Sequence, residues 1–143
     1  SLGSVFELVK SSILHHPHMK LPFNPEHVSE LILDFIYGDL RSKVLFLLMF
    51  EDTPVGYLAA TCSDKNPTTY GVKVAGELSW FVLPEHRGND SLGLIKEYEN
   101  WLRIVGAKYS VLTHYEDEVG EKLSLIYEKM GYKRCEVSYV KEV

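Results

Sequence analysis

The sequence predicts an α/β fold: a central mixed sheet with helices on both faces. Three observations carry this. Apolar residues recur at helical spacing in four segments and gather into short strand-like runs in five more. The order, α-α-β-β-β-α-β-α-β, is an antiparallel meander followed by βαβ units, which makes a mixed sheet covered on two sides. The third observation is Leu78–Gly93, LSWFVLPEHRGNDSLG, in which an apolar strand passes through Pro84 and Arg87-Gly88 into an amphipathic helix. First-turn N–H groups lack an intrahelical partner and the helix dipole favours negative charge there, so this join builds an anion site.

Each element has its own signal. Val5–Leu14 places apolar residues at 5, 6, 8, 9, 13 and 14, and His15-His16-Pro17-His18 ends the helix. In the second helix Asn24 caps and Pro25 takes the first helical position. Val28, Leu31, Ile32, Phe35 and Ile36 form its stripe, and Gly38-Asp39 stops it. Val44–Phe50 is almost wholly apolar and reads as a strand covered on both faces. A turn at Glu51–Pro54 leads to Val55–Cys62, making a hairpin. A polar loop over 63–71 precedes a third strand, Val72–Leu83.

Ser91–Val105 is the next helix, with Leu92, Ile95, Tyr98, Leu102 and Val105 on one stripe and Gly106 as its stop. Tyr109–His114 is a fourth strand. Glu118–Met130 is a helix closed by Gly131, and Tyr132–Val140 alternates as a last strand. Trp80 and Tyr98 read as core residues. Ser1–Ser4 reads as a linker or cloning scar, and residues 5–143 as one domain. The start leaves open a missing N-terminal strand.

The chain has 143 residues, of which 45% are hydrophobic and 24% charged, the proportions of a globular domain with its own core. A net charge of −5 without a Lys/Arg cluster argues against a nucleic-acid surface. No apolar run approaches the roughly 20 residues of a membrane span, and no secretory signal is visible. Cys62 and Cys135 are too few and too far apart for a disulfide framework or a metal cage, and read as thiols in a reducing, cytoplasmic compartment. His15, His16 and His18 lack a carboxylate or thiol at metal-binding spacing and read as solvated loop residues; no metal is implied.

Two motifs resemble those of the GCN5-related N-acetyltransferases. One is the strand and loop Val82-Leu83-Pro84-Glu85-His86-Arg87-Gly88-Asn89-Asp90-Ser91-Leu92-Gly93, beside the family's Arg/Gln-x-x-Gly-x-Gly/Ala. The other is Leu125-Ile126-Tyr127-Glu128-Lys129-Met130-Gly131-Tyr132, beside the family's Leu-Tyr-Glu-Lys-x-Gly-Phe/Tyr. The resemblance spans about residues 5–140 and is closest to short phage and bacterial members. It implies the acyl-CoA N-acyltransferase fold, with the third and fourth strands splayed. It also implies acetyl transfer from acetyl-CoA to an amine by direct attack on the thioester, and permits a homodimer.

On this resemblance, the N–H groups of Arg87, Gly88, Asn89, Asp90, Ser91, Leu92 and Gly93 cradle the CoA pyrophosphate, and Phe81, Val82 and Leu83 offer backbone groups to the pantetheine arm. Tyr127 is the expected acid for the departing thiolate, and Glu77 the expected base for the amine, with His114 a second base candidate. Glu121 stands where the family often has Asn. The loop between the first two helices, His15–Phe23, would line the acceptor pocket. The chain departs from the motif at two positions: Asp90 and Leu92 stand where small residues are expected, and Gly93 falls one residue late. Asp90 also reads as the helix N-cap, where its carboxylate competes with phosphate. Arg87 is either a brace for the turn or a phosphate contact. The departure favours one other reading, a degenerate fold of this family serving as a binding or virion component without CoA turnover.

Overall fold

The computed structural model describes residues 2–143. Its elements are α1 (Leu2–Leu14), α2 (Pro25–Tyr37), β1 (Lys43–Phe50), β2 (Thr53–Ser63), β3 (Val74–Val82), α3 (Asn89–Val105), β4 (Tyr109–Val111) and α4 (Glu118–Lys129), with a single 3-10 turn at Pro84–His86. The sheet order is β1-β2-β3-β4. The first three strands are antiparallel neighbours, and β4 runs parallel to β3. This is the mixed sheet the sequence predicts.

Strand β2 divides the core. Leu58, Ala60 and Cys62 point to one side, where Leu94, Ile95, Tyr98 and Trp101 of α3 and Tyr127 of α4 complete a cluster. Tyr57 and Ala59 point to the other side, against Leu8 of α1 and Phe35 of α2. Alternation along an extended chain sends neighbours to opposite faces, so one strand serves both layers. The strand covered on both faces is therefore β2, not β1. Strand β1 lies at the sheet edge and fully buries only Val44. An apolar run alone does not distinguish a central strand from an edge strand.

Several boundaries differ from expectation. Helix α1 takes in Leu2–Ser4, because Val5 and Leu8 anchor its inner face and the preceding residues continue the turn. Asn24 caps α2 by accepting from the His27 N–H at 3.0 Å, with Pro25 following as expected. Strand β4 is only three residues long, since the chain leaves the sheet after Val111. The last strand does not form. Residues 133–143 are exposed and lie in no ladder. Among the described residues no helix is long and apolar enough to cross a membrane.

Candidate active site

The site sits where β3 and β4 part. Their pairing covers Val74–Gly76 against Tyr109–Val111 and stops there. Close approach is possible at Gly76, where a Cβ would lie 3.2 Å from the Val111 carbonyl oxygen. On its other side β3 carries a bulge. Ala59 pairs with Ser79 and Ala60 with Glu77, so Leu78 has no partner on β2 and is exposed. The extra residue resets the alternation. Glu77 shares a face with Ala75 and Ala60, toward α3 and α4, and beyond the bulge Trp80 and Val82 return to that face. The bulge therefore turns Glu77 and Trp80 toward the same side of the sheet.

Glu77 is half-buried and bridges the splay. Its Oε1 accepts from the Thr113 N–H at 3.0 Å and also from the Thr113 hydroxyl. Burial pushes the carboxyl above the ordinary range, against the pull of the two Thr113 hydrogen bonds. Tyr127, buried on α4, donates its hydroxyl to the Thr113 carbonyl at 2.9 Å. Burial, then the Glu77 charge, drives its phenol well above its usual range. Thr113 thus holds both residues singled out from the sequence, and no sequence motif marked it. The only available signal was its place just before His114 at the end of the predicted strand.

His114 lies beside this centre, its ring 6.3 Å from that of Tyr127. Its Nδ1 donates to the Tyr115 carbonyl at 2.8 Å, which ties the imidazole to its own loop. That loop abuts α4. A Cβ on buried Gly120 would meet the Tyr115 carbonyl oxygen at 1.7 Å, so only glycine fits. Asp117 caps α4 by accepting from the Gly120 N–H at 2.7 Å. Behind Tyr127 a second chain of hydroxyls joins Tyr98, Ser110 and Tyr132, each link 2.7 Å. Burial raises the phenols of Tyr98 and Tyr132, the latter to about 12.

The loop after α1 closes over the same region. The ring of His16 meets Tyr115 edge-on at 5.3 Å, and His15 lies 5.8 Å from Phe81. His15 Nδ1 donates to the Ser11 carbonyl, and His16 Nδ1 accepts from the His18 and Met19 N–H groups. These histidines brace the loop. Among the described residues no group of three or more His, Cys, Asp or Glu side chains is placed to hold a metal. Tyr57 adds a hydroxyl on the α1 side, shared with Ser79 at 2.7 Å.

The loop leading into α3 is built differently from expectation at one point. The N-cap of α3 is Gly88, with φ 143°, and Asp90 is the second helical residue. Gly88 replaces Asp90 because the backbone there adopts a positive φ that favours glycine. Ser91 then closes the turn, its Oγ donating to the Gly88 carbonyl at 2.7 Å and accepting from the Gly88 N–H at 3.2 Å. Asn89 and Asp90 are exposed in the first turn, whereas Leu92 and Gly93 fall inside the helix. Arg87 braces the turn. Its Nε donates to the Val82 carbonyl at 2.7 Å and its guanidinium lies 5.6 Å from the centre of the Phe81 ring. A hollow of about 400 Å³ adjoins the loop, lined in part by Phe50, Val55, His86, Arg87 and Asp90.

By sequence, no family model and no curated protein matches the chain. Solved structures do match its fold. The aminoglycoside N-acetyltransferase AAC(6')-Iy, in complex with the bisubstrate analogue CoA-S-monomethyl-acetylneamine, superposes with a TM-score of 0.72 at 17% identity, over 99% of this chain and 92% of that one. A ribosomal-protein-alanine N-acetyltransferase from Brucella melitensis biovar Abortus 2308 gives 0.67 at 18% identity, over 99% and 93%. The aminoglycoside 6'-N-acetyltransferase AAC(6')-IG from Acinetobacter haemolyticus gives 0.70 at 16%, over 100% and 93%. The fold is that of the GCN5-related N-acetyltransferases, as the two motifs imply.

Proposed function

We propose that the chain is an N-acetyltransferase that moves an acetyl group from acetyl-CoA to an amine. The observation that carries this is the splay itself, with Glu77 and Tyr127 held at its mouth by one residue, Thr113. One neighbour, AAC(6')-Iy, supplies a further support: it was solved both with a CoA-bearing bisubstrate analogue and with CoA.

The residues fit such a cosubstrate. The Trp80 indole N–H is buried with no partner among the described residues, so β3 holds a spare donor near the splay. A buried donor left unsatisfied costs about 1–3 kcal/mol, which a bound acceptor would recover. Phe81, Val82 and Leu83 present backbone along the same strand. The pyrophosphate would lie at the start of α3, on the first-turn N–H groups of Asn89 and Asp90, since those of Gly88 and Ser91 are spent within the turn, with Arg87 holding the turn and Leu92 and Gly93 beginning the helix behind it.

Acetyl-CoA supplies the acetyl group as a thioester. An amine attacks only when neutral, and Glu77, its carboxyl raised by burial, takes the proton directly or through water. The new C–N bond forms as the C–S bond breaks. Tyr127, turning its O–H from the Thr113 carbonyl, hydrogen-bonds the departing sulfur. A thiol has a pKa of about 8.5, far below this raised phenol, so Tyr127 stabilises the thiolate without surrendering its proton. Positioning in the splay does the rest. The acceptor enters beside His15, His16 and Tyr115.

Thermal melting with acetyl-CoA tests the reading. A binding site raises Tm by the mass-action amount, and acetylation of a panel of small amines should follow. No shift at millimolar acetyl-CoA would sink it. One observation favours a non-catalytic binding role instead: Ser91 already occupies the Gly88 N–H, and Asp90 sits in the turn where phosphate would lie. That reading expects no shift and no turnover.

A further inference from the structure

We propose that the Trp80 indole N–H donates to an amide carbonyl of the pantetheine arm, so that this side chain distinguishes arm-bearing CoA from its nucleotide half alone. The inference rests on the acetyl-CoA reading above. Among the described residues, two buried side-chain polar atoms lack a partner, Trp80 Nε1 and Thr69 Oγ1. Thr69 lies in the loop before β3, at the opposite end of that strand from the start of α3. Its hydroxyl rotates to suit its surroundings, whereas an indole N–H is fixed by its ring and only donates. Buried indole N–H groups usually find an acceptor. The chain's other tryptophan follows that rule: Trp101 Nε1 donates to the Leu40 carbonyl at 2.9 Å. Trp80 is the exception.

Its place in the fold decides which acceptor suits it. Trp80 pairs with Leu58 of β2, while on its β4 side β3 has no partner beyond Gly76. The side chain packs against the cluster that contains Tyr127. Glu77 precedes it on β3, and the start of α3 follows beyond Val82 and the Pro84–His86 turn. Glu77 and Trp80 stand about 10 Å apart along an extended strand. An arm with its thioester at Glu77 and its pyrophosphate at α3 therefore passes Trp80 between its two ends. That middle stretch offers amide carbonyls, whereas the thioester carbonyl stays at Glu77 and the phosphates at α3. Because Trp80 has no protein partner, bonding such a carbonyl breaks no existing hydrogen bond within the protein.

Nuclear magnetic resonance of the two indole N–H groups in the intact chain tests this, with Trp101 as the internal reference. The Trp80 signal should move downfield as acetyl-CoA is added, and equally with CoA, which keeps the arm and lacks the acyl carbonyl. It should stay in place with adenosine bisphosphate, the nucleotide half without the arm. A Trp80 signal unmoved at saturating acetyl-CoA overturns the proposal and leaves the acetyl-CoA reading standing. So does a signal moved by acetyl-CoA and not by CoA, or one moved by adenosine bisphosphate. Absence of any melting shift with acetyl-CoA overturns both. Trp80→Phe should weaken CoA binding by about twofold to tenfold and leave adenosine bisphosphate binding unchanged. The KM for acetyl-CoA should rise with kcat retained, as expected when a contact is made equally in ground and transition states. Equal losses for CoA and adenosine bisphosphate would mark a merely structural role and overturn the proposal, as would unaltered CoA affinity.

Discussion

Thr113 donates both its backbone N–H and its hydroxyl to one oxygen of Glu77, at the point where β3 and β4 separate. The contact stands where a further rung of the parallel ladder would have formed. It keeps the strands bridged while holding them apart. It also sets the electrostatics of the proposed base, because it opposes the desolvation that raises the carboxyl.

Glu77→Gln should separate activity from stability. Removing a general base lowers turnover by about 10²–10⁴. The folded-state pKa of Glu77 is raised, so its protonated form favours the fold. That contribution is complete below the unfolded value of about 4.3 and is lost as pH rises through the folded value. Above the folded value the ionised carboxylate is therefore a net cost. The amide keeps an oxygen for Thr113 and removes the charge. The variant should melt at or above the wild-type temperature at pH 7.5, with the difference shrinking toward pH 4. Full activity in the variant would remove Glu77 from the mechanism.

Thr113→Val deletes the hydroxyl and leaves the backbone N–H. One of the two bonds that lower the Glu77 pKa disappears, so the carboxyl rises further. The acidic limb of the kcat/KM profile should move to higher pH, with the rate on the alkaline plateau preserved. A profile that does not move would show that the limb belongs to another group.

Tyr127→Phe should lower kcat and leave the affinity for acetyl-CoA nearly unchanged. A hydrogen bond to a charged partner contributes about 1.5–3 kcal/mol, which corresponds to roughly tenfold to a hundredfold in rate. The Thr113 carbonyl loses its donor as well, so a small drop in Tm should accompany it. Rapid-quench measurement of the acetyl-transfer step checks this, and an unaltered step would leave Tyr127 as a core residue.

What the sequence reveals here follows from how local each signal is. The capped α2 and the glycine-stopped α3 at Gly106 depend on adjacent residues and are legible in the chain. The mixed sheet follows from element order. The bulge at Leu78 is not legible, since nothing in ELSWFV marks which residue loses its partner, yet it decides the face of Glu77. Thr113 acts through partners 36 and 14 residues away, and only the folded chain assembles them. Gly88 displaced Asp90 as the cap because positive φ outweighed side-chain capping preference. For residues 133–143, an alternating pattern indicates a strand but not whether an edge will meet it.

Asp90→Asn tests how far the altered loop limits the site. Asp90 lies exposed in the first turn of α3, where the pyrophosphate would sit. Two opposed effects meet there. An acidic residue at a helix start stabilises the helix by about 0.3–1 kcal/mol. The same charge near a bound diphosphate repels it by about 1 kcal/mol at several ångströms in a water-like medium, or about fivefold in Kd. The variant should therefore bind acetyl-CoA more tightly while melting slightly lower. Added salt screens exposed charges, so the gain in affinity should fade as ionic strength rises. Calorimetric titration at low and high salt measures it. Affinity that is unchanged or weaker at low salt would place the pyrophosphate away from this turn.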